Sequence, residues 1–84
     1  MTDIDGRTVL SGALAQVAPN VDVATIDPDA LLQDEVGLDS LDFLNVVDIV
    51  ESEAGIEIPA RDYASLLTFR NFASYVDGHR AGPP

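Results

Sequence analysis

Apolar residues recur with helical spacing near both ends of the chain and in its middle. Leu10, Ala13, Leu14 and Val17 fall at i, i+3, i+4 and i+7. That spacing predicts an amphipathic helix from about Ile4 or Arg7 to Ala18. Gly6 and Gly12 weaken it, each by up to about 1 kcal/mol relative to alanine. Pro19 and Asn20 end it. A second helix is predicted from Ser40 to about Ala54, where Phe43, Val46, Val47, Val50 and Ala54 share one arc, the stripe of a packed helix. Gly55 stands at its natural C′ position. A short helical piece follows over roughly Ala60 to Leu66. A final helix opens at Thr68, a good N-cap, and puts Phe69, Phe72, Ala73 and Val76 on one face.

Between Val21 and Asp39 the period is lost. Proline, several aspartates and a glycine mark a loop, yet Val23, Ile26, Leu31, Leu32, Val36 and Leu38 make it apolar enough to pack down. Loops of this length are often functional. A turn of helix is expected near Asp29 to Gln33, with Asp27 or Asp29 at its start. Ile56 and Ile58 alternate with polar residues, as in a strand, but the chain offers such a strand no pairing partner. The pattern therefore predicts an all-α fold: a four-helix bundle with a long loop between helices 1 and 2 and a short third helix.

The outward side of the second helix carries Leu41, Leu44, Asn45, Asp48, Glu51 and Ser52, with Asp42, Ile49 and Glu53 on a flank. Isolated surface leucines are ordinary. Two of them beside acids also fit a docking surface, with apolar contacts for affinity and a charged rim for steering. Asp39 suits the N-cap, accepting from the N–H of Leu41 or Asp42, and Asp42 is placed to reach back in a capping box. Ser40 then opens the helix, its hydroxyl at the positive end of the dipole. Gly37 permits a sharp turn before it and leaves room for another molecule to approach.

Composition narrows the classes. The 84 residues fit one small domain, taken as residues 1–84 with a frayed tail from about residue 79. Apolar content of 46% is too high for a disordered acidic tail. Without cysteine there is neither a disulfide framework nor a thiolate metal site. Fifteen acids against four arginines, with no lysine, give a net charge of −11. That balance argues against nucleic acid or an anionic membrane and favours basic protein partners. No apolar run approaches the roughly 20 residues that span a bilayer. The N-terminus has no signal or transit character, so a cytoplasmic, monomeric protein is expected.

A nucleophilic serine needs a base and an oxyanion hole. The only histidine, His79, falls in the expected frayed tail, and no Gly-x-Ser-x-Gly elbow is present. Ser40 is poorly equipped for chemistry of its own and well placed to be modified by another protein.

The segment from Gly37 to Pro59, "GLDSLDFLNVVDIVESEAGIEIP", resembles the acyl carrier proteins. It shares their Gly-x-Asp-Ser-Leu core, the amphipathic helix after it and an Ile-x-Ile-Pro turn. The resemblance implies a carrier and not an enzyme, with 4′-phosphopantetheine attached to Ser40 by a phosphopantetheinyl transferase. Asp39 would help hold magnesium in the transferase complex; no metal is implied for the free protein. Acyl cargo would ride as a thioester to acyl-transferring, ligase or synthase enzymes of fatty acid, polyketide or lipid biosynthesis. By the same resemblance Asp39, Leu41, Asp42, Leu44, Asn45, Asp48 and Glu51 would meet basic patches on these partners. Phe43, Val47, Ile58, Tyr63 and Leu66 are candidates to line an acyl pocket, against plain core packing.

There are departures from the family pattern. Fatty-acid carriers tend to have glutamate where this chain has Asn45 and an apolar residue where it has Asp48. These differences bear on the partner set. An aminoacyl or peptidyl carrier stays open, although such carriers more often show a Gly-Gly-(His/Asp)-Ser core. A rival of another class is an acidic helical adaptor that only binds proteins, with Ser40 as a mere cap. A calcium module is a weaker rival, since the acids of "DPDALLQDEVGLD" lack the ligand spacing of an EF-hand.

Overall fold

A computed structural model describes residues 5–79 of the chain. Helix α1 runs Gly6–Val17, α2 runs Ser40–Ala54 and α3 runs Phe69–His79. A short 3-10 helix, Ala60–Leu66, precedes α3. The expected order of four helices is thus observed, with no strand among the described residues.

Each α-helix begins where a side chain relieves an orphan backbone donor. Asp5 accepts from the N–H of Thr8 at 2.8 Å, Asp39 from that of Asp42 at 2.7 Å, and Thr68 Oγ1 from that of Asn71 at 3.1 Å. Only the forward half of the anticipated capping box at Asp39 forms among the described hydrogen bonds. At the far end of α2, Gly55 takes the left-handed conformation, φ 69°, and its N–H closes on Glu51 O.

The buried faces follow the predicted stripes. Val9, Leu10, Ala13 and Leu14 of α1 meet Phe43, Val46, Val47 and Val50 of α2 and Phe69, Phe72, Ala73 and Val76 of α3 in one core. Among the described residues no polar or charged side chain is buried. Gly6 proves more than a weak point in α1. A Cβ there would overlap the carbonyl oxygen of Ala73, and its N–H donates to Asp77 Oδ1 at 2.7 Å. The missing side chain lets α1 start directly against α3.

The long loop is packed down, as its apolar content requires. Ala30, Leu32 and Leu38 are buried, and burying one leucine fully is worth about 1.5–3 kcal/mol. The helical turn expected over Asp29–Gln33 does not form. The helical turn in the loop lies earlier, a 3-10 turn at Val23–Thr25 capped by Asp22. The reason is nonlocal: Leu31 pairs with Thr68 in an isolated antiparallel bridge, and Leu32 N–H donates to Leu67 O at 2.9 Å. These bonds draw the loop out into an extended crossing. Arg70 N–H donates to Pro28 O, and its guanidinium meets Asp29 at 2.8 Å, fixing the same crossing from the other side.

As expected, Ile56–Pro59 forms no strand; Glu51 accepts from Ile58 N–H at 2.7 Å and folds this segment against the end of α2. His79, where the frayed tail was expected to start, is the last described residue of α3, its ring stacked on Tyr75 with centroids 3.9 Å apart. The rest of the anticipated tail, like Ile4, lies outside the described residues.

Candidate functional site

The site is the junction between the loop and α2. Leu38 is buried, and its N–H donates to Leu32 O at 3.0 Å. Gly37 just before it sits at φ 98°, where a side chain is strained. This turn sends Leu38 into the core and brings Asp39 and Ser40 out to solvent.

Ser40 is exposed, the first residue of α2. Its hydroxyl makes no hydrogen bond to the described protein, because Asp39 already serves the capping function. Serines at a helix start usually accept from the backbone. Here the carboxylate one residue earlier leaves the serine oxygen available. The unpaired N–H groups of the first turn favour an anion by about 0.3–1 kcal/mol at an exposed site.

No base stands ready to activate that oxygen. Its carboxylate neighbours are Asp39 and Asp42, and the first is engaged in the cap. His79 shares a cleft with Glu51, Glu57, Ile58 and Asp62. Glu51 lies 11 residues along α2 from Ser40, about 16 Å of helix rise. The histidine therefore belongs to the opposite end of the molecule. Among the described residues no three His, Asp or Glu side chains converge as metal ligands would.

The outward face of α2 carries the residues read from the sequence. Leu41 is 66% and Leu44 43% exposed, with Asn45 and Asp48 exposed beside them. Asp42 is half-buried. Glu51 is also half-buried and already holds Ile58, a structural hydrogen bond that the periodicity alone did not reveal.

The five pocket candidates come together as core. Phe43, Val47, Ile58 and Leu66 are buried and Tyr63 is half-buried. The Phe43 ring meets Tyr63 edge-on at 5.7 Å and Phe72 at 6.2 Å. Phe43 thus closes the seam between α2 and the short helix.

Sequence reasoning missed two features near the site and one away from it. Leu67, at the end of the short helix, is 43% exposed. Asp34 and Glu35 stand exposed on the turn closed by Glu35 N–H to Leu31 O. Away from the site, the Tyr75 hydroxyl donates to Asp62 at 2.7 Å and ties the short helix to α3. That bond, followed by partial burial, pushes the Tyr75 hydroxyl up to about 12.

A family model described as a phosphopantetheine attachment site matches residues 9–76. An acyl carrier protein of Zymomonas mobilis is 34% identical over 61 residues, 67% of this chain and 78% of that protein. One of Streptomyces coelicolor is 35% identical over 74 residues, 88% of this chain and 80% of its own length. The acyl carrier protein AcpXL of Rhizobium etli is 49% identical over 39 residues, 46% of this chain and 42% of that protein.

Proposed function

The chain belongs to the phosphopantetheine-attachment family of the acyl carrier proteins, and from this premise we propose that Ser40 is its attachment point. The protein is a carrier and not an enzyme. Its prosthetic group, 4′-phosphopantetheine, supplies the terminal thiol on which acyl cargo is held as a thioester. Carrier function entails encounters with a modifying enzyme and with biosynthetic enzymes.

The observation that carries the assignment to Ser40 is its exposed hydroxyl at the mouth of α2, left unbonded because Asp39 caps the helix. The attachment step forms a bond from Ser40 Oγ to the phosphorus of coenzyme A that bears the pantetheine. The bond from that phosphorus to the nucleotide breaks. The hydroxyl proton passes to a base of the phosphopantetheinyl transferase. This chain's part is to present the oxygen, and Asp39, adjacent to it, is placed to help hold magnesium in the complex. The transferred phosphate then leaves from the positive end of the helix, with Asp42 in the first turn repelling it from the surface.

Once attached, the arm holds its cargo at an effective concentration of order mM when it spans the sites. Leu41, Leu44, Asn45 and Asp48 form the exposed α2 surface that meets basic patches of partner enzymes. The cargo class we favour is acyl, in fatty acid, polyketide or lipid synthesis, in keeping with the names of the relatives. No described helix is long and apolar enough to cross a membrane. The Phe43–Tyr63 contact is the place where an acyl chain would part α2 from the short helix.

The test is intact-mass measurement after incubation with coenzyme A and a broad-specificity transferase. The expected result is one phosphopantetheine on the parent protein and none on Ser40→Ala. Equal loading of both proteins would overturn the assignment.

A further inference from the structure

Ser40 and Phe43 stand about one turn apart on α2, so the root of the arm lies beside the seam that Phe43 closes. Helix α2 leans chiefly on α1, and the short helix on α3. Across the seam between them the Phe43 ring stands edge-on to Tyr63 at 5.7 Å, with planes 79° apart. It meets Phe72 at 6.2 Å, with planes 60° apart. Val47, Leu66 and Phe72 of the same core are all but sealed from solvent.

An acyl chain on the arm gains by leaving water only where it finds room. At this seam room is made by expelling the ring. Fully burying a phenylalanine is worth as much as burying about two to four methylenes. Each of its two edge contacts adds the equivalent of about one or two more. A chain must therefore offer about four to eight methylenes before its entry becomes favourable. A hydroxyl or carboxyl on the cargo fares worse. Among the described residues no buried polar or charged side chain stands ready to bond it.

We propose that Phe43 is a specificity-determining residue: it keeps short or polar acyl groups out of the bundle, so that this carrier presents them in solvent on its arm. This rests on the assignment of Ser40 made above. It narrows the cargo that the fold handles without rearrangement to acyl groups of up to about four carbons, and to those bearing a polar substituent.

The test loads the protein from acetyl-, propionyl-, butanoyl- and 3-hydroxybutanoyl-coenzyme A with a broad-specificity transferase. Intact mass checks each load, and circular dichroism gives the melting temperature. The parent should melt at the same temperature with all four. Phe43→Ala should melt lower than the parent in the acetyl form and regain stability with each added carbon, by about fourfold in the folding equilibrium per methylene buried. The hydroxylated chain should regain less than butanoyl. Phe43→Val loses both ring contacts but leaves a smaller gap, and keeps the test open if Phe43→Ala does not fold; it should show the same climb, less steep. A parent melting temperature that rises from acetyl to butanoyl overturns the exclusion while Ser40 stands. A flat series in the variant that folds overturns it as well, since the ring is then not what bars the chain. If the parent takes up none of the four arms, the assignment of Ser40 falls and this inference with it.

Discussion

At residue scale, two glycines that look alike in sequence have opposite structural meanings. Gly6 and Gly12 both dilute the helical pattern of α1, and both were expected to weaken it. Gly12 stands exposed, with nothing within 4 Å of where a Cβ would be. Gly12→Ala should stabilise the protein by about 0.5–1 kcal/mol through helix propensity and a less free unfolded chain. Gly6→Ala has the same propensity gain but forces a methyl group into the Ala73 carbonyl, so α1 and α3 must move apart. The typical cost of such overpacking, about 1–3 kcal/mol, outweighs the gain. Urea denaturation of the two variants checks this: the midpoint should rise for Gly12→Ala and fall for Gly6→Ala. A sequence shows the glycine in each case; only the packing partner 67 positions away shows its sign.

At element scale, α2 was the most legible part of the chain. Its local signals agree: Asp39 at the N-cap, a 3.6-residue stripe from Phe43 to Val50, and Gly55 at φ 69°. Ser40 was readable for the same reason, since its position depends on the cap beside it. The loop was legible in composition but not in shape. Its conformation is set by Leu32 with Leu67 and by Asp29 with Arg70, partners 35 and 41 residues apart, which no local pattern encodes. The exposure of Leu67 escaped notice because it follows from that same pairing.

The short helix has its own nonlocal tie, from the Tyr75 hydroxyl to Asp62. The acceptor carboxylate favours the neutral phenol and raises it from 10 to about 12. A folded-state value above the unfolded one means that the stabilisation is complete below about pH 10 and is lost as pH climbs towards about 12. Melting temperature should therefore decline across that window. Tyr75→Phe should remove this part of the decline and the corresponding late step in ultraviolet phenol titration. An unchanged late step in the variant would assign it elsewhere.

At the scale of the whole molecule, three helices and a pinned loop form an apolar core that leaves its chemistry at one end. The closely packed frame holds the Gly37 turn, the Asp39 cap and the Leu67 shoulder in fixed relation, while the opposite end carries the Tyr75–His79 stack. The net charge of −11 suits brief encounters with basic enzymes, with attraction acting over about a Debye length of 8 Å at physiological salt. A carrier of this kind presents its cargo to other enzymes and needs no base of its own. What must be true is that the tether starts from one oxygen. Five serines are described, Ser11, Ser40, Ser52, Ser65 and Ser74, and several besides Ser40 are exposed. Fragmentation mass spectrometry of the loaded protein discriminates among them directly. The account predicts phosphopantetheine on the fragment containing Ser40 and on no other; finding it on Ser52, Ser65 or Ser74 would contradict it.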